Sequence, residues 1–164
     1  MRKLIVLLAV VSGLLDVSGR ALEACGAKFL VGPRSPLFQL GQRATRPATI
    51  LIYQHTADAD VVEFIAELRS LLNGVGHKVT IVTSEADLRD VAGRQTFNVV
   101  MMQLDAARRL RSDLTSWSNG ATILPMKEYV PGAEAARVKK EFGHLLKLPT
   151  TPPDLLSVVR AAHR

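Results

Sequence analysis

The sequence predicts an α/β domain in which a doubly wound, five-stranded parallel sheet carries helices on both faces. Three observations lead there. From residue 48 onward, short and nearly continuous apolar runs recur, as strands buried on both faces require. Between them lie stretches whose apolar residues repeat with the helical period. Capping residues and Gly or Asn stops punctuate the alternation.

Thr49-Ile50-Leu51-Ile52-Tyr53 is the first apolar run and the first strand. Residues 58–73 follow as a helix, with Val61, Val62, Ile65, Leu68 and Leu72 on one stripe. Asn73-Gly74-Val75-Gly76 stops it, because Gly and Asn tolerate the left-handed backbone beyond a helix end. Residues 78–83 form the second strand. Ser84, with Asp87 three residues on, opens a short helix that ends at Gly93. Residues 97–102 are the third strand, and Ala107, Leu110, Leu114 and Trp117 mark a third helix with Arg108, Arg109 and Arg111 around its other faces. The fourth strand spans 121–124, a weaker helix lies around 132–141, and the last strand spans 144–148. Thr151-Pro152-Pro153-Asp154 opens the final helix, with proline in the first turn, where no N–H is missed.

A chain of 164 residues is long enough for one domain with a real core. Its formal charge of +6 invites a nucleic-acid reading. The basic residues are scattered, however, and aromatic residues are 5% of the chain, so stacking platforms are scarce. Nucleic acid is therefore disfavoured, and acidic partners fit the charge better.

The N-terminus reads as an export signal. Arg2 and Lys3 precede an uncharged run from Leu4 to Leu15, and Val17-Ser18-Gly19 offers small residues for cleavage. This divides the chain into a signal peptide (1–19), an irregular basic extension (20–47) and an α/β domain (48–164), and it places the protein in the periplasm or outside the cell. An uncleaved N-terminal anchor is the alternative. Leu22-Glu23-Ala24-Cys25 resembles a lipoprotein box, so lipidated Cys25 is a second route to a membrane, although Glu23 suits that box poorly. As the sole cysteine, Cys25 has no intrachain disulfide partner.

Four local patterns carry a family resemblance: Ile50-Leu51-Ile52-Tyr53, Gly76-His77-Lys78-Val79, Phe97-Asn98-Val99-Val100-Met101-Met102, and Leu148-Pro149-Thr150-Thr151-Pro152-Pro153-Asp154. In order and spacing they resemble the bacterial response-regulator receiver domain. That resemblance implies the flavodoxin-like strand order 2-1-3-4-5. It also implies a site at which two acidic residues after the first strand hold Mg²⁺ beside a phosphate-accepting Asp at the end of the third strand.

At those positions this chain has other residues. Gln54 and His55 stand for the acidic pair, Gln103 for the acceptor, and Pro125 or Met126 for the switch hydroxyl. Leu148 stands for the conserved-type Lys, with Lys147 one residue early and on the opposite face, and Leu145 stands for the aromatic switch. Asp105 serves as acceptor only if its loop is re-registered, and Asp58 and Asp60 lie too far into the next element to replace the acidic pair. The resemblance is thus to a degenerate receiver that works without aspartyl phosphorylation, metal or cofactor.

The expected function is a non-catalytic protein-interaction or signalling module. The expected partner face comprises Arg137, Lys139, Lys140 and Arg160, whose charge steers an acidic protein. The alternative is a small-ligand sensor using the rim beyond the strand ends, where Gln54, His55, Gln103, Asp105 and Lys127 gather, joined by Lys147 if it reaches the rim, for an anionic or hydrogen-bonding ligand. His55 has no companion at ligand spacing, since His77, His144 and His163 fall on other elements.

Overall fold

The computed structural model describes residues 46–117 and 120–164. The expected signal peptide (1–19), Cys25 and nearly all of the expected extension (20–47) lie outside the described residues. Among those described, five strands alternate with five helices. In chain order these are β1 (Thr49–Tyr53), α1 (Ala59–Gly74), β2 (Lys78–Val82), α2 (Glu85–Arg94), β3 (Val99–Gln103), α3 (Leu104–Trp117), β4 (Thr122–Glu128), α4 (Gly132–Phe142), β5 (Leu146–Leu148) and α5 (Pro152–Ala162). The sheet is parallel throughout, in the order β2-β1-β3-β4-β5. This is the doubly wound arrangement of receiver- and flavodoxin-like folds. No described helix is long and apolar enough to cross a membrane.

Period-two alternation along the buried strands divides the core into two layers. Ile50, Ile52, Val99 and Met101 face α1 and α5, meeting Phe64, Leu68, Leu72, Leu155 and Val159. Leu51, Tyr53, Val100 and Met102 face the other way, onto Leu88 and Ala92 of α2 and Ala107, Leu110 and Leu114 of α3. A third cluster joins Leu104 of α3 to Ala135 and Val138 of α4 and to Leu145. Each fully buried Leu, Ile or Met contributes about 1.5–3 kcal/mol relative to exposure.

Polar groups fix the lower ends of the strands. Asn98 Oδ1 accepts the Thr49 N–H at 2.8 Å, the Asn98 N–H donates to Thr49 O at 2.8 Å, and Thr122 N–H donates to Asn98 O at 2.9 Å. One asparagine thereby ties β1, β3 and β4 together. On the same side of the sheet, buried His77 accepts the Ala48 N–H through Nδ1 at 2.9 Å. Burial pushes the His77 ring below its ordinary pKa of 6.5, and His163 adds a smaller push the same way.

Several boundaries depart from the sequence expectation. The fourth strand does not stop at Leu124 but runs to Glu128, through Pro125. Since Thr122 donates toward β3, alternation turns the N position of residue 125 toward β5, where pairing starts only at Met126 and Leu146. Pro125 thus occupies a strand position that needs no donor. The last strand is correspondingly short, beginning at Leu146 rather than at residue 144. The third helix starts at Leu104, directly after Gln103, because Leu104 is buried against α4 and leaves no loop between strand and helix. Phe97 is buried but precedes β3.

Candidate functional site

In a parallel sheet wound in this order, the chain leaves β1 toward one face and β3 toward the other, which opens a crevice beyond their C-terminal ends. A cavity of about 240 Å³ occupies that crevice. Its floor and walls are apolar: Val61, Phe64 and Ile65 from α1, Leu104 from α3, Met126 from β4 and Leu148 from β5. Its polar groups come from the strand ends: Gln54, His55 and Thr56 after β1, Gln103 and Asp105 after β3, and Lys127 and Glu128 at the end of β4. Apolar walls with a few converging polar groups are the usual make-up of a small-molecule site. The volume falls below the roughly 300–1,000 Å³ of sites for drug-sized ligands, so a smaller body fits.

All five rim residues expected from the sequence line this cleft, as do Met126 and Leu148. Gln54 and Gln103, which stand at the positions of a receiver's metal-binding and acceptor acids, are both half-buried there. The Gln54 side chain donates to Thr56 O at 3.3 Å, which shapes the loop after β1, while its backbone N–H reaches Val82 O at 2.9 Å. Asp105 is exposed in the first turn of α3. There is no loop around it to re-register, because the helix begins one residue before it. Lys147 is exposed on β5 and does not border the cleft, whereas its neighbour Leu148 does, as alternation requires.

The charge balance at the cleft follows from one ion pair. Lys127 Nζ lies 2.8 Å from Glu134 Oε1, on the first turn of α4. That hydrogen bond holds the Glu134 carboxyl below its ordinary pKa of 4.5, with smaller contributions from Arg108 and Arg137. Asp105 and Glu128 form no ion pair with any described residue. His55 packs its ring on Tyr53, centroids 5.9 Å apart, and shares no hydrogen bond with Asp105. Among the described residues no three His, Cys, Asp or Glu side chains are grouped to hold a metal ion.

Sequence reading missed Thr56, Val61, Phe64, Ile65, Leu104 and Glu128 as cleft residues. The α1 residues read simply as core, and the shortened β4 left Glu128 without a place. The signal was present at Glu128: with β4 carried past Pro125, strand alternation and the fold's geometry put it at a strand end.

The expected partner face is exposed at every position, yet it is not one surface on α4. At 100° per residue, Arg137 and Lys139 point about 160° apart around that helix. Glu141 shows which flank is occupied, since it takes Arg108 at 3.3 Å and Arg111 at 3.7 Å from α3. Comparison of the chain with protein-family models, curated proteins and solved structures finds no match.

Proposed function

We propose that this chain is an exported, non-catalytic receiver-like domain that acts by binding, with the strand-end cleft as its recognition site for a small ligand. The observation that supports this reading is the cleft itself. A receiver's phosphate pocket would carry carboxylates at positions 54, 55 and 103. Here two amides and an imidazole stand at those positions, beside a cavity of about 240 Å³ with apolar walls. An amide side chain cannot supply the anionic nucleophile of phosphotransfer, but it offers both a donor and an acceptor to a ligand. Export rests on the pattern of residues 1–19. The site is tested by a nuclear magnetic resonance fragment screen on the full chain. Shifts should converge on residues 53–56, 103–105 and 126–128; shifts spread over the edge formed by α4, β5 and α5 would overturn it.

A protein partner at that edge is the second reading. It draws on the exposure of Arg137, Lys139, Lys140 and Arg160 together with Lys147 on the edge strand β5. The angular spread of the α4 cations weighs against a single docking patch, and charge on an edge strand also serves to block unwanted pairing. Reversing Arg137, Lys139 and Lys140 to Glu separates the readings. Fragment binding in the cleft should survive this change, because none of the three side chains lines the cleft.

A further inference from the structure

We infer that the cleft selects a small amine carried on an apolar body and rejects anions; this rests on the cleft being the binding site. The protein is basic overall, with formal charge +6, but its charge is not evenly spread. Every described helix carries an acidic residue in its first turn, and in this fold those first turns lie at the strand-end surface.

A helix N-terminus ordinarily favours an anion through its free N–H groups and positive dipole end. Here that role is already filled. Asp58 accepts the Asp60 N–H at 2.9 Å at the start of α1, and Asp105 sits in the first turn of α3. Each carboxylate brings a full charge against about half a charge from the dipole, so a negative excess is left.

The cleft's one described Lys or Arg, Lys127, is neutralised by Glu134. The described lining holds no second Lys or Arg for an anionic ligand. Exposed Glu128 at the end of β4 and Asp105 at the start of α3 both line the cleft, and neither forms an ion pair with a described residue. An ammonium group at the mouth meets their carboxylates and the carbonyl oxygens of Gln54 and Gln103. Its apolar body fills the space between Phe64, Leu104, Met126 and Leu148. Within the anionic or hydrogen-bonding class expected from the sequence, this geometry keeps the hydrogen bonds and reverses the charge.

The test uses three probes of one shape on the full chain near neutral pH: phenethylamine, phenylethanol and phenylacetate, each followed by amide shifts. The amine should bind about fivefold tighter than the alcohol, and phenylacetate weakest, with the amine's advantage shrinking as salt is added. Glu128→Gln should weaken the amine about two- to fivefold relative to the alcohol, while Glu128→Asp should retain most of the preference. If the alcohol or phenylacetate binds the cleft as well as the amine does, the charge inference falls and the cleft stands. If none of the three shifts the cleft residues, the binding site itself falls with it.

Discussion

Lys127 reaches from the end of β4 to Glu134 on α4, 2.8 Å away, and so spends the cleft's only described ammonium group on the protein's own carboxylate. A single substitution tests what that pair does. Glu134→Gln frees Lys127 without removing a charge from the cleft lining. Phenylacetate should then gain about two- to fivefold over phenethylamine relative to the unchanged chain. Paired isothermal titrations of the two probes measure this.

Stability should respond to pH through His77. Its Nδ1 accepts the Ala48 N–H, which requires the neutral ring with its proton on Nε2. Because the folded pKa lies below 6.5, the unfolded chain binds more protons in the interval between the two values. The stabilisation is therefore full above 6.5 and is lost as pH falls from there through the lowered folded value. His77→Leu should remove that slope and cost about 1–3 kcal/mol at neutral pH, because the Ala48 N–H is left buried and unpaired. Urea midpoints across the pH range check both.

Asn98 joins three strands, so Asn98→Ala should destabilise the sheet more than its half-buried position implies. The Thr49 N–H loses its acceptor, at a cost of about 1–3 kcal/mol, while the backbone bonds between Asn98, Thr49 and Thr122 persist. Chemical denaturation should therefore show a lower midpoint and an unchanged slope.

Incubation with acetyl phosphate and Mg²⁺ should leave the chain's mass unaltered. Gln103 offers no carboxylate, and Asp105 stands in a helical turn without an acidic pair beside it. Gln103→Asp should also remain unmodified, because Gln54 and His55 still supply no hard oxygen pair for the metal. A phosphoryl group on Asp105, seen by intact-mass measurement, would contradict this.

The sheet was legible because strands buried on both faces must be written as uninterrupted apolar runs, which Ile50 to Tyr53 and Val99 to Met102 are. The strand-end rim was legible for a related reason: once the alternation is known, Gln54, Gln103 and Asp105 have one place to go. Pro125 hid the rest of β4, since a proline reads as a stop unless the hydrogen-bonding side it faces is known. The start of α3 at Leu104 was not legible, because burial against α4, not local pattern, sets it. The cleft's apolar walls were hidden for another reason. Val61, Phe64 and Ile65 have the same periodicity whether they meet a strand or an empty space.

The most direct measurement is the affinity of phenethylamine for the full chain and for a Val61→Phe variant. Val61 is half-buried on the cleft wall, packed against the edge of the core, so the larger ring fills the cavity from its rim. The account predicts that binding falls by about tenfold or more, with the circular dichroism spectrum and the thermal midpoint nearly unchanged. Equal affinity for the two proteins, with both folded, would contradict the claim that this cleft is where the protein binds.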